Sequence, residues 1–249
     1  MSSNYRSILN VQGSSFTNTL STFFDGDDEF VNASSAISSI SSDSQGTISL
    51  WAKADVLAGA CFSVTDISSQ KKFINMGFAS GKFFCWLRDD GALSSGWWLE
   101  TDNVLLANTW YHLAVVQNGV SPVLYVNGVA VAQTFVEATQ DQRWISGLGF
   151  ASADNINIGR LKTALYDTNY FGGLVDEVSY FSSALSSSDI LSIYNSGVPT
   201  DLSQFSTTPI FYYRMGDGST YPTINDEIGS NDGTMNNMSS ANFVTDVPT

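Results

Sequence analysis

From Gly46 to Val178 the sequence is a succession of short, alternating apolar runs separated by turn residues, and it carries almost no helical periodicity. In Gly46-Thr47-Ile48-Ser49-Leu50-Trp51-Ala52-Lys53, Ile48, Leu50 and Ala52 share one face, while Thr47, Ser49, Trp51 and Lys53 share the other. Further runs fall near 61–66, 72–78, 82–88, 97–101, 110–117, 144–150, 155–160 and 173–181. Asn127-Gly128 joins Leu124-Tyr125-Val126 to Val129-Ala130, which predicts a two-residue type I′ hairpin because both central positions need positive φ. Regularly spaced short strands of this kind close into a sandwich or a barrel.

One helix interrupts the pattern. Ser186 is placed to cap, Asp189 completes a capping box, and Leu185 staples onto Ile190. Ile190, Ile193 and Tyr194 then share a face, and Gly197 ends the run. The expected architecture is all-β, an antiparallel sandwich with one short helix near 186–195. Its parts are an N-terminal arm over 1–22, the sandwich over 23–199 and a C-terminal segment over 200–249. The Ser-rich stretch 34–44 reads as a loop.

Composition narrows the partners. The 249 residues carry a formal net charge of −14, with 10 Lys+Arg against 24 Asp+Glu. Such a surface repels nucleic acid and anionic lipid, and no apolar run approaches a membrane span. The N-terminal stretch Met1–Asn10 lacks the apolar region of a secretory signal. Cys61 and Cys85 sit in strand-like runs; a disulfide between neighbouring strands is one reading, and two buried free thiols is the favoured one, because a core of this size needs no cross-link. His112, the only histidine, lies in a strand and reads as structural. Glu29, Glu100, Glu137, Glu177 and Glu227 are dispersed, whereas glycan-cleaving relatives of such sandwiches hold two carboxylates close together. No phosphate-binding glycine loop is present. These absences point away from an enzyme.

Several runs together resemble the laminin-G-like, concanavalin-A-like (pentraxin-related) jelly rolls. They are Phe24–Val31, Gly46–Trp51, Trp110–Val116, Leu124–Gly128, Ile156–Arg160 and, most specifically, Phe171–Val178 continuing through Ala184-Leu185-Ser186 to Ile190 and Tyr194. The tail, Tyr212–Gly218 and Thr223–Thr234, resembles the segment that precedes the first strand in that family. It begins a second repeat or fills the first-strand slot of the same sandwich; a lone strand needs a partner edge, which favours the second. The tail is also similar to those of marine tailed-phage structural proteins.

The resemblance implies a lectin-like binding protein. The expected function is a non-enzymatic virion surface or decoration protein that contacts glycans, with other virion proteins or further copies of itself as partners. The alternative is a free-standing carbohydrate-binding module or adhesin, extracellular rather than on a virion. A glycan-cleaving enzyme ranks below both. Glycan contact needs exposed aromatic planes, and the candidates are Trp97, Trp98, Trp144, Tyr166 and Tyr170. The family also implies one structural calcium, here carried over to Asp176, Asp226 and Asn231 as oxygen ligands. In solution the Asp176 and Asp226–Asn231 readings compete with simple turn capping.

Overall fold

The computed structural model describes residues 16–89, 96–138, 141–148, 153–167 and 169–249. Within them the strands, in chain order, are β1 (Ser21–Asp25), β2 (Phe30–Asn32), β3 (Gly46–Ala54), β4 (Gly59–Thr65), β5 (Phe73–Ala79), β6 (Lys82–Arg88), β7 (Trp97–Thr101), β8 (Tyr111–Gln117) and β9 (Pro122–Val126). They continue with β10 (Val129–Ala130), β11 (Gln133–Ala138), β12 (Asn155–Ile158), β13 (Gly172–Phe181), β14 (Phe211–Tyr213), β15 (Met215–Gly218), β16 (Thr223–Ile224), β17 (Gly233–Asn236) and β18 (Phe243–Val244). Two antiparallel sheets form the expected jelly-roll sandwich. One runs β10-β9-β8-β3-β13-β1-β18, with β14 also on β13; the other runs β11-β7-β6-β5-β4-β12-β2-β17-β16. Asn127 and Gly128 adopt φ of 50° and 77° between β9 and β10, as the hairpin requires.

Period-two alternation decides what each face does. Ile48, Leu50 and Ala52 of β3 enter the main core beside Phe62, Met76, Leu113 and Val175. On the opposite, outer face of that sheet, a second apolar cluster of Ala114, Val116, Phe181 and Tyr212 is covered by Leu185, Ile190, Ile193 and Leu202. The cover is the helix α2 (Ser187–Tyr194), capped by Ser186 and boxed by Asp189. It ends on Asn195 in the left-handed region at φ 44°, two residues before the glycine expected to stop it. Among the described residues the outer face of the other sheet carries no such helix.

Three expectations are corrected. There are two short α-helices rather than one: α1 (Ile37–Ile40) lies in the serine-rich stretch read as a loop, where Ala36 and Ile40 are fully buried. The run near 144–150 gives a 3-10 turn at Ile145–Leu148, because Trp144 and Ile145 plug the core instead of extending a sheet. Of the expected arm, residues 1–15 lie outside the described residues. Residues 16–22 belong to the sandwich: Ser21 and Thr22 are buried in β1, and Thr22 Oγ1 donates to the Met215 carbonyl at 2.5 Å.

The segment 200–249 is woven through both sheets. β14 pairs with Val178–Tyr180 of β13, β17 with β2, and β18 with Ser21 and Thr22 of β1. β1 itself pairs with Gly172–Val175 of β13. One edge of β13 is therefore shared end to end by a strand from each end of the chain. The seam falls at a bulge, where the register against β3 shifts between Asp176 and Ser179 and Glu177 takes φ 52°. Cys61 and Cys85 are free and buried in the core, and burial pushes both thiols up. Among the described residues no helix is long and apolar enough to cross a membrane.

Candidate functional site

The uncovered outer face of the second sheet holds an aromatic hollow. In β6, Phe83, Cys85 and Leu87 point into the core, so Phe84, Trp86 and Arg88 point outward. The register sets Trp86 opposite Asn75 of β5 on one side and Trp98 of β7 on the other. The two indoles stack with centroids 5.0 Å apart and 24° between planes. Phe73 meets Trp86 edge-on at 4.9 Å, and Tyr166 meets Phe73 at 6.2 Å from the connection after β12. Trp86, Trp98, Phe84, Tyr166, Asn75 and Asn169 help to line a hollow of about 310 Å³.

This face is also where polar atoms lack partners. Thr65 Oγ1, Asn75 Oδ1, Trp86 Nε1, Arg88 Nε and Trp98 Nε1 are buried with no hydrogen-bond partner among the described residues. An unsatisfied buried donor or acceptor costs about 1–3 kcal/mol, and native structures leave few of them. Three of these five residues, Asn75, Trp86 and Trp98, line the hollow itself; the other such atoms among the described residues, on Asn18, His112, Glu177 and Arg214, lie elsewhere.

The aromatic candidates divide. Trp98 and Tyr166 stand in the hollow. Trp97, its neighbour in β7, takes the opposite face: it is fully buried and its Nε1 donates to the Arg143 carbonyl at 3.0 Å. Trp144 lies parallel to Trp97, 5° between planes, and its Nε1 donates to the Tyr180 hydroxyl at 2.9 Å. These two are core residues, not ligand contacts, because each indole is enclosed with its N–H already bonded. Tyr170 is half-buried beside a separate cavity near Asp25 and Asp55, and its hydroxyl donates to Asp167 at 3.2 Å. Sequence reasoning missed Trp86, Phe84, Asn75 and Arg88. The signal was present, since Phe83–Leu87 is apolar on both faces and a strand with one solvated face alternates instead.

The residues named for calcium fall into two separate hydrogen-bond sets. Asp226 accepts from Tyr212 N and Ile228 N on one oxygen, both at 3.1 Å, and from Asn231 N and Nδ2 on the other at 3.2 and 3.3 Å. A carboxylate offers about four lone-pair sites, so Asp226 is filled by its own loop and the β14 backbone. Asp176, fully buried, accepts from Asn18 Nδ2 at 2.8 Å and from Glu177 N at 2.9 Å. This arrangement does not fit a shared cation between Asp176 and the Asp226–Asn231 loop.

Instead, Asp176 belongs to a buried acidic pair at the seam. Glu177 accepts a short hydrogen bond from the Tyr212 hydroxyl and lies 3.6 Å from the Arg214 guanidinium. Burial, reinforced by the neighbouring carboxylate, holds Asp176 well above its ordinary range; burial pushes Glu177 up to about 8. Across the same sheet, burial under α2 pushes His112 down to about 3, with Ser49 Oγ 2.9 Å from its Nε2. His112 is thus a structural, neutral ring. A raised carboxyl stabilises the fold below its unfolded value, near 4.5 for Glu177, and that contribution is lost as pH rises through about 8. The lowered histidine does the reverse: its contribution is complete above 6.5 and is lost as pH falls towards 3. Of the pair and the histidine, it is the acidic pair that changes between pH 6.5 and 8. The melting temperature is therefore expected to fall across that window, and Glu177→Gln to flatten the fall. A wild-type profile that is flat or rising there contradicts the assignment.

Residues 25–191 match the sequence model of the concanavalin A-like lectin/glucanases superfamily. No curated protein sequence matches the chain. The fold is similar to the CBM40 of the Ruminococcus gnavus IT-sialidase bound to α2,3-sialyllactose. The TM-score is 0.60 at 16% identity, over 70% of this chain and 96% of that one. It is also similar to a Bacteroides ovatus protein assigned to carbohydrate binding, with TM-score 0.59, 18% identity, and coverage of 94% of this chain and 62% of that one. A leech intramolecular trans-sialidase shares the fold at TM-score 0.59 and 19% identity, over 75% of this chain and 29% of that enzyme.

Proposed function

Because the chain belongs to the concanavalin A-like lectin/glucanases superfamily, we propose that it is a non-catalytic glycan-binding protein whose site is the aromatic hollow on the outer face of the second sheet. The observation that carries this is the stacked pair Trp86–Trp98 set among partnerless polar atoms. A sugar presents an apolar ring face and a rim of hydroxyls, and stacked indoles flanked by Asn75 and Asn169 suit both. The resemblance to a sialyllactose-bound module and to a carbohydrate-binding protein supports the same class of ligand. The residues lining the hollow include no carboxylate, which supports binding without the paired acids of glycoside hydrolysis.

A glycan array followed by titration calorimetry tests this. Trp98→Ala and Trp86→Ala are expected to weaken the best ligand at least tenfold, about 1.4 kcal/mol, while the circular dichroism spectrum is kept. Binding unaffected by both substitutions, or no binding to any glycan, defeats the proposal. The sequence resemblance of Tyr212–Thr234 to tailed-phage structural proteins supports a virion surface as the seat of this lectin, with other virion proteins or further copies of the chain beside it. A free-standing module is the alternative seat.

A further inference from the structure

Resting on that glycan reading, we infer that Arg88 reads an anionic group, a carboxylate or a sulfate, on the sugar held in the hollow. With 24 Asp+Glu against 10 Lys+Arg, a cation in this chain has carboxylates to spare. Arg143, Arg160 and Arg214 each lie beside one, Asp89 at 3.4 Å, Asp167 at 3.8 Å and Glu177 at 3.6 Å. Lys82, on the same outward row as Phe84 and Trp86, holds Glu100 at 2.7 Å. Arg88 is only 8% exposed, yet its guanidinium makes no hydrogen bond or ion pair with a described residue.

Its position explains what such a group is for. Arg88 closes β6 opposite Phe73, and its guanidinium carbon lies 5.2 Å from the centre of the Trp86 ring in the hollow's wall. The indole gives the cation a partial partner. A planar anion on the sugar completes it, since a guanidinium matches a carboxylate or sulfate edge with two parallel bonds. The described residues lining the hollow are uncharged; Arg88 stands just outside that lining, across the Trp86 ring, and while Lys82 on the same outward row is paired with Glu100, Arg88 is the cation placed to distinguish acidic from neutral sugars. The net charge of −14 opposes an anionic ligand at long range; a preference for acid sugars has to come from a local contact.

The test titrates the full chain with an oligogalacturonate, its methyl ester, a sulfated galactan oligosaccharide and a neutral galactan oligosaccharide. At least one acidic form is expected to bind ten times more tightly than the ester and the neutral sugar, and which one does so identifies the group. Arg88→Gln is expected to erase that preference by lowering acid-sugar affinity about tenfold, with a much smaller change for the neutral sugar. If ester and neutral sugars bind as well as the acids, the inference falls and the glycan reading stands. If none binds and no other glycan does, the glycan reading falls first. A second variant guards against a merely structural role: Arg88→Met is expected to melt no lower than wild type without ligand, since it removes a buried charge lacking a partner. A loss of many degrees makes Arg88 a packing brace and overturns the inference.

Discussion

Ending the chain at Pro199 leaves no cooperatively folded protein. The lost segment carries Phe211, Tyr213, Met215, Ile224 and Met235 out of the main core and Tyr212 out of the second cluster, all buried. Each contributes about 1.5–3 kcal/mol of burial, so together they match or exceed the net stability of an ordinary domain, about 5–15 kcal/mol. The cut also strips half of one β13 edge and the β17 neighbour of β2. Near-ultraviolet circular dichroism and a thermal melt measure this. A truncated chain that melts cooperatively within a few degrees of the full one shows that the segment is an appendage.

Trp144→Ala lowers stability by about 3–5 kcal/mol, the cost of emptying a large aromatic site in a core. Trp144 is 1% exposed, lies against Trp97, and holds the Tyr180 hydroxyl, which in turn donates to Asp43 at 3.0 Å. Tyr166→Ala, in a half-buried residue of the hollow, is expected to cost less than about 1.5 kcal/mol, within the common range for single substitutions. Denaturant midpoints of the two variants separate a core aromatic from a candidate ligand contact. Equal small losses place Trp144 outside the core.

That contrast shows where the sequence was legible and where it was not. Ile48, Leu50 and Ala52 face inward as alternation requires, Asn127-Gly128 makes its hairpin, and Ser186 with Asp189 caps its helix, because each is a local pattern with one cheap solution. Trp97 and Trp98 are different. Alternation says that they take opposite faces but not which face is the core, and that depends on β6 and β11 arriving on either side. Trp144 reads as a strand residue because its apolar neighbours are shared by strands and core plugs alike. The polar strands β16 and β17 leave little trace, since Thr223, Thr234 and Asn236 pair through their backbones. Asp226 carries the chemistry of a ligand in sequence, and only its four bonds show it spent on its own loop and on β14. The hollow itself needs three strands, β5, β6 and β7, and the distant connection after β12 to exist.

The seam on β13 sets a timetable for synthesis. Strand β1 waits for Gly172–Val175, and the other half of that edge waits for β14. Strand β18 then returns to Ser21 and Thr22. At about 5–20 residues per second, residues 200–249 trail the rest by about 3–10 s. During that interval Val178–Tyr180 presents an unpaired edge beside uncovered core, the kind of surface that neighbouring chains seize. Contacts of such long sequence separation also form slowly once available. A nascent chain stalled after β13 therefore exposes an edge open to aggregation, and β14, synthesised later, is the strand that closes it.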